Sequence, residues 1–305
     1  MNLLGREGKL MENQSMVDSL KVAKLSDYEW LKLAYLALLQ RPIDSVGYAY
    51  WSDKIKNGTF SYKELIDTLQ LSPEYIMHYK IPFNSVVHIG RQLWIKEIGS
   101  YENILDIGGS SANTEMGALI EIGYPHRPKS ITIFDLPPEQ QYWGKPKYDQ
   151  TKPYNFTWGS VKFVHGQAEK IHMAEELKKL RFDCIFMGQT IEHVNPTALP
   201  KILDWIREHL TQGGHFIFDT PNRLITKIQL PTGWIDKDHK YEYTPAELEA
   251  RLERHHFKVA RKWGIIDMPT TSQTRVFNPI ECYETEKLSK NYNTSYCFAY
   301  DCIVK

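Results

Sequence analysis

Asn103-Ile104-Leu105-Asp106-Ile107, followed by Gly108-Gly109-Ser110-Ser111-Ala112, is the stretch that decides how this chain folds. Its first five residues read as an apolar strand with a carboxylate near the end, and the next five as a turn of small residues. Such a turn lets the backbone approach a nucleotide-like ligand at the carboxyl end of the strand, and the following helix offers its N-terminal N–H groups.

On either side of this stretch helices and strands alternate. A helix near Ser85–Ile98 leads in, and strands follow at Ser130–Phe134, Val161–Val164, Phe182–Met187 and His215–Phe218. Helices are expected between them at Met173–Leu180 and Thr197–Leu210, the second with Leu199, Ile202, Leu203, Ile206 and Leu210 on one face. Asn195-Pro196 can start that second helix and Gly213-Gly214 can end it. Thr244, with Glu247 three residues later, caps a helix through Leu252, and strands near Lys258–Trp263 and Tyr296–Ile303 complete the pattern. Strands separated by helices pair in parallel, so the expected fold class is α/β, a doubly wound, Rossmann-like sheet covered on both faces.

Ahead of Pro82 the reading is different. Residues 1–24 are polar and weakly patterned, a loose arm; residues 25–80 read as a small all-α domain, and residues 83–305 as the α/β domain. Leu31, Ala34, Tyr35, Leu38 and Leu39 recur at helical spacing, and Arg41-Pro42-Ile43-Asp44 stops that helix because proline cannot continue it. Tyr48, Trp51 and Ile55 mark a second helix ended by Asn57-Gly58. Ser61 and Glu64 form the capping box of a third, and Ser72-Pro73-Glu74 opens a last short turn.

The totals exclude several classes. The 305 residues carry 37 Lys plus Arg against 37 Asp plus Glu, so no global field draws the chain to nucleic acid or acidic lipid. The four cysteines form no CxxC pair, and Cys184 in a predicted strand reads as a small hydrophobe, so neither zinc nor a disulfide framework is expected. No eighteen apolar residues run together and the polar N-terminus shows no signal peptide, so no membrane span and a cytoplasmic, reduced protein are expected.

With these residues in place, the chain resembles the class I S-adenosylmethionine-dependent methyltransferases, notably those of ubiquinone and small-RNA type, over roughly Asn103 to Ile265. That resemblance implies a seven-stranded, mostly parallel sheet. The family's first motif is an acidic residue, any residue, then GxGxG. Here the acidic residue is Asp106 and the loop is Gly108, Gly109, Ser110, Ser111, Ala112, so that two of three glycines have become Ser110 and Ala112. Asp135, some thirty residues on with Leu136 beside it, stands where a carboxylate takes the ribose hydroxyls. Gln167-Ala168 stand where an acidic-then-small pair meets adenine, and an amide still offers an acceptor oxygen. FDCIFMGQTIEHVNPTALPKILDWIREHLTQGGHFIFDTPN, Phe182 to Asn222, matches the family's fourth strand, EH loop, helix, GG turn, fifth strand and PN. Cofactor contacts implied by the resemblance are therefore Asp106, Gly108, Gly109, Ser110, Asp135, Leu136, Gln167, Ala168 and Gln189, with S-adenosylmethionine as the cofactor.

Residues 26–79 resemble a small bacterial domain of unknown function through Tyr35, Leu38, Leu39, Arg41, Asp44, Gly47, Tyr50, Trp51, Gly58, Ser61, Ser72, Glu74 and Tyr75. That module accompanies glycosyltransferases and methyltransferases of surface polysaccharide assembly. The resemblance thus implies a sugar context and contact with polysaccharide assembly enzymes. Tyr35, Tyr50 and Trp51 themselves read first as helical core, and second as a face that stacks on carbohydrate.

The sulfonium donor is already activated, so the enzyme mainly aligns an acceptor, which in well-oriented cases supplies on the order of 7–11 kcal/mol. A hydroxyl acceptor also needs a base, and His193 and His239 are the candidate catalytic residues. Trp234, Tyr241, Tyr243 and Asn222 are the candidate acceptor-binding residues. Some relatives hold a divalent ion with an ExxEH loop and a further histidine; a metal here would sit on Glu192, His193 and His239. Gln189 replaces the first carboxylate and removes a negative charge, so no metal is favoured. Glu192 and His193 can instead simply cap and order their loop, and His255-His256 reads as a solvated helix end.

The expected function is O-methylation of a sugar or glycan intermediate of surface polysaccharide biosynthesis. The alternatives are a quinone, small metabolite or RNA as acceptor, or a catalytically inactive scaffold with a decayed donor loop. RNA is disfavoured by the neutral charge, since phosphate contacts dominate such binding. A nicotinamide-dependent dehydrogenase fits poorly, because the GxGxxG it requires reads Gly108, Ser110, Asn113.

Overall fold

The computed structural model describes residues 25–39, 41–75, 83–141, 144 and 146–305. The arm expected over residues 1–24 lies outside the described residues. The chain divides into two compact units, the first up to Val86 and the second Val87–Lys305.

Among the described residues the first unit packs four helices, α1 Asp27–Leu39, α2 Ser45–Lys56, α3 Tyr62–Gln70 and α4 Pro73–Tyr75. Its core is Trp30, Leu31, Ala34, Leu38, Leu65 and Leu69, drawn from the apolar stripes of α1 and α3. The pattern residues are spent on holding the helices together. Arg41 donates a bidentate pair to Glu74 (2.6 and 3.1 Å), Asp44 caps α2 by accepting from the Gly47 amide, and Trp51 Nε1 donates to the Tyr35 hydroxyl at 2.8 Å. A Cβ on Gly47 would crowd that hydroxyl at 3.1 Å. Tyr35 and Trp51 are buried, as a core reading requires, whereas Tyr50 is exposed. Ser61 and Glu64 form the complete capping box of α3.

In the second unit a nine-stranded sheet has the order β3-β4-β2-β1-β5-β6-β9-β7-β8 among the described residues. The strands are β1 Asn103–Ile107, β2 Ser130–Asp135, β3 Tyr154–Phe156, β4 Gly159–His165, β5 Phe182–Gly188, β6 Leu210–Pro221, β7 Phe257–Asp267, β8 Leu288–Ser289 and β9 Ser295–Val304. Strands β4, β2, β1, β5 and β6 pair in parallel, and β9 runs antiparallel between β6 and β7. The seven-stranded core expected from the resemblance is thus present, widened by the short edge strands β3 and β8. Helices α5 Phe83–Ile95, α6 Ala118–Ile122, α7 Leu199–His209, α8 Arg223–Gln229 and α9 Pro245–Arg254 connect and cover it, followed by the short α10 Pro269–Thr274 and α11 Glu281–Glu284. The expected face of α7 is buried at Leu199, Ile202, Leu203 and Ile206, and Thr244 with Glu247 forms the capping box of α9. No helix among the described residues is long and apolar enough to cross a membrane.

Two local expectations are corrected. The helix expected over Met173–Leu180 is a 3₁₀ helix at Ala168–Met173 followed by turns. Leu177 is buried, with Ala174 and Leu180 packed partly against the same core, while Met173 is 63% exposed, so successive turns already cover the apolar residues there. Gly213-Gly214 does not end α7: the helix stops at His209, and Gly213, at φ +76°, sits inside the irregular start of β6. The register against β5 shifts between Phe182 and Cys184 at that point.

Candidate active site

The site forms at the carboxyl ends of β1, β2, β4 and β5. Parallel pairing sets Asp106 of β1 opposite Ile133 of β2 and Phe186 of β5, and Asp135 closes β2 on the adjacent strand. The turn after β1 is tied to the neighbouring strand by the Gly108 amide, which donates to the Phe134 carbonyl at 2.8 Å. The Gly166 amide donates to the Asp135 carbonyl at 2.8 Å and links the end of β4 to the same rim.

Both glycines of the turn are sterically required. Gly108 has φ +76° and a Cβ there would lie 2.4 Å from Thr190 Oγ1; a Cβ on Gly109 would lie 2.0 Å from Asp106 Cγ. Ser110 and Ala112 are not among the residues of positive φ, so losing the family's glycines there strains nothing. Instead Ser110 gains partners. Its amide donates to Asp135 Oδ2 at 2.9 Å, and its hydroxyl is met by Gln141 Nε2 at 3.2 Å. Tyr148 donates to the Ser111 carbonyl at 2.7 Å. The residues contributing Gln141 and Tyr148 carried no sequence signal.

Asp106 is buried, and one of its oxygens, Oδ2, has no hydrogen-bond partner. Burial, and then the nearby charge of Asp135, push its carboxyl up to about 7. Burial also raises Asp135, although the Ser110 and Leu136 amides that it accepts pull the other way. A buried carboxyl oxygen without a partner, beneath a turn that admits no side chain, fits a polar and cationic ligand. Gln167 stands exposed after β4, with Ala168 partly buried beside it.

A second cluster lies beyond β5. Gln189 adopts φ +52°, and Ile191–His193 then form a single 3₁₀ turn. Glu192 is fully buried: Oε2 accepts from Thr220 Oγ1 at 3.0 Å, Oε1 has no partner, and burial pushes its carboxyl up to about 7. The Glu192 carbonyl accepts the amides of Lys240 (2.8 Å) and Tyr241 (3.1 Å), which fixes the segment carrying His239. The His193 and His239 rings meet edge to face at 4.8 Å. One ligand atom from each of Glu192, His193 and His239 lies within 4.8 Å of the others. His239 Nδ1 pairs with Glu242 Oε1 at 2.8 Å, leaving Nε2 as its other nitrogen; Glu242 is itself buried and also accepts from Thr226 and Ile235.

Trp234 and Tyr241 lie side by side (5.4 Å) with the Arg223 guanidinium over Trp234 at 4.7 Å, and both rings are partly exposed. The other two residues expected to meet the acceptor are placed otherwise. Tyr243 is fully buried in the main core beneath Tyr241. Asn222 is fully buried with its amide donating to the carbonyls of Tyr292, Asn293 and Ser295 and its oxygen capping α8, so it clamps backbone instead of contacting a ligand. Gln189 likewise turns its side chain inward, to Asp219.

A family model described as a methyltransferase domain matches residues 83–262, and one described as a domain of unknown function (DUF4214) matches residues 9–79. Among solved structures, the small RNA methyltransferase HEN1 is similar with a TM-score of 0.47 and 13% identity over 70% of this chain, which spans only 25% of that protein. A SAM-dependent methyltransferase from Archaeoglobus fulgidus gives a TM-score of 0.47 and 15% identity over 75% of this chain and 97% of its own. The N-methyltransferase NodS from Bradyrhizobium japonicum, solved with S-adenosyl-L-homocysteine, gives 0.42 and 13% over 73% of this chain and 88% of its own. No curated protein matches the chain.

Proposed function

Since the chain belongs to the methyltransferase domain family, and its methyl donor is S-adenosylmethionine, we propose that it methylates an oxygen of a sugar or glycan intermediate of surface polysaccharide biosynthesis. The observation that carries this reading is His193, three residues after the Thr190 that abuts the glycine turn at Gly108, with the His239 ring packed against it. In this reading residues 83–305 form the catalytic domain. The helical domain, residues 25–80, contacts polysaccharide assembly enzymes.

The donor supplies an activated methyl group on a sulfonium. Asp135 takes the ribose hydroxyls, the Gly108–Ser110 turn admits the backbone-close part of the donor, and Asp106 offers its unpartnered oxygen to the cationic end. His193 receives the acceptor hydroxyl proton. Burial, and then the neighbouring His239, hold its imidazole below the usual range, so it stands neutral and ready as a base. His239 differs: burial lowers it, but the hydrogen bond that it donates to Glu242 and the charges of Glu192 and Glu242 outweigh this and raise it. Trp234 and Tyr241 offer aromatic faces for a sugar ring. A quinone or small metabolite would use the same faces.

A second reading adds a divalent cation on Glu192, His193 and His239. It is favoured by Glu192, whose buried Oε1 has no partner and which offers one carboxylate oxygen to the cluster where the three ligand atoms converge. Such an ion would act as a Lewis acid on the acceptor oxygen. Isothermal titration of the protein with Mn²⁺, repeated on Glu192→Gln, decides it: saturable binding lost in the variant supports the ion, and no binding removes it.

The primary test incubates the protein with S-adenosylmethionine carrying a labelled methyl group and with glycan or lipid-linked extracts, and identifies the labelled product. An O-methylated sugar is expected. Calorimetric binding of the donor without label in any extract would instead leave a binding or scaffolding protein.

A further inference from the structure

Three observations meet at one residue. Gln189 holds a left-handed backbone, φ +52°, which a non-glycine residue adopts only where its surroundings impose it. Its amide donates to the Asp219 carbonyl at 2.9 Å and its side-chain Nε2 to Asp219 Oδ2 at 2.8 Å. Asp219 is fully buried, and its charge is met by the largely buried guanidinium of Arg91, through Nε at 2.6 Å and Nη2 at 3.2 Å.

A buried ion pair is a poor device for stability, because desolvating both charges offsets their attraction. Here it is joined to a strained backbone at the end of β5, and the next residue, Thr190, sits where a Cβ on Gly108 would be. We infer that Arg91 and Asp219, acting through Gln189, are positioning residues that hold the Gln189–His193 turn against the donor loop and so set where His193 stands. Arg91 comes from α5 and Asp219 from β6, so the turn is pinned from two elements that are far apart in the chain. The arrangement also explains the amide at position 189. A glutamate there would place a second carboxylate against Asp219, with a single guanidinium to neutralise both.

The inference rests on the proposed reading only in calling the Gly108 turn the donor loop. Its test uses two variants that tolerate left-handed backbone and therefore fold. Gln189→Gly removes the side-chain tether and the strain together and leaves the backbone bond to the Asp219 carbonyl; Gln189→Asn keeps an amide one methylene too short to reach the Asp219 carboxylate. In the full chain, hydrogen exchange is followed at the amides of Gln189, His193 and Val194, with the melting temperature and calorimetric S-adenosylmethionine binding as companions. Both variants should melt at or above the wild-type temperature while those amides exchange roughly ten-fold faster or more, because local opening no longer breaks the tether. Donor affinity should weaken several-fold, since binding then has to order the turn. Unchanged exchange over residues 189–194 overturns the inference. Failure of the wild type to bind the donor overturns the proposed function, while the exchange result still decides the role of Arg91 and Asp219.

Discussion

His193 and His239 meet edge to face at 4.8 Å, and their surroundings move their proton affinities in opposite directions. Burial and the facing ring lower His193; the Glu242 hydrogen bond and the carboxylates of Glu192 and Glu242 overcome burial and raise His239. His193 is thus the ring suited to receive a proton, and His239 the one that holds a proton more tightly. His193→Ala should therefore slow methyl transfer by about 10²–10⁴-fold while donor binding is retained. Measured donor affinity and turnover separate the roles, and a wild-type rate removes His193 from the chemistry. Because His193 is lowered, wild-type turnover should persist from alkaline pH down through the ordinary imidazole range before falling.

Asp135 should dominate donor affinity. Its carboxylate accepts the Ser110 and Leu136 amides in the free protein, so Asp135→Ala removes the clamp on the glycine turn and, in the proposed reading, the ribose contact. Affinity should weaken by roughly ten-fold to a hundred-fold, the loss of one or two charge-assisted hydrogen bonds. Calorimetry with S-adenosylmethionine checks this. Unchanged affinity would place the ribose elsewhere.

Asp106 links stability to pH with a definite sign. Its carboxyl titrates near 3.8 when unperturbed and is pushed up to about 7 in the fold, first by burial and then by Asp135. The folded state therefore holds the proton more tightly. This contribution is fully present below pH 4 and is lost as pH rises through 7. Asp106→Asn should raise the melting temperature of the donor-free protein at pH 8, by a few kcal/mol of stability at most, with the difference shrinking towards pH 5. Melting curves of both proteins across that range test it; parallel profiles would mean the Asp106 charge is not the cause. The variant should bind donor less tightly at every pH.

Gly108→Ala separates the sterics of the loop from its chemistry. The added methyl meets Thr190 at a residue with φ +76°, so it should cost about 1–3 kcal/mol and weaken donor binding. Ser110→Gly, at an ordinary backbone conformation, should leave the fold intact. Chemical denaturation of the two variants makes the comparison, and equal stability losses would contradict the geometry.

In the helical unit, Arg41→Met leaves Glu74 without its bidentate partner and withdraws the guanidinium over Tyr35. The pair is partly exposed, so the loss should be only about 1 kcal/mol, and methyl transfer should be unaffected if the domain serves only for docking. Trp51→Ala, which opens a cavity and frees the Tyr35 hydroxyl, should cost about 3–5 kcal/mol. Thermal unfolding of the two variants ranks them.

Local chemistry was legible in the letters because its causes are local. The Ser61–Glu64 and Thr244–Glu247 boxes, the apolar face of α7 and the apolar run of β1 each depend on residues within a few positions of one another. The alternation of such elements was enough for a parallel doubly wound sheet, since strands joined by helices have few other ways to pair. Glu192, His193 and His239 could be named as a group from the lettering of the family, but their convergence within 4.8 Å depends on two backbone hydrogen bonds to the Glu192 carbonyl. Asn222 shows the converse: the same PN dipeptide that suggested an acceptor contact is closed off by three carbonyls more than seventy positions away or nearly so. The Arg91–Asp219 pair, 128 residues apart, was legible nowhere. Sequence alone determined the elements, which follow from short-range periodicity and capping; only the tertiary structure decided what encloses the glycine turn, which polar groups are spent on the scaffold and which remain free, because that depends on register and burial between distant segments.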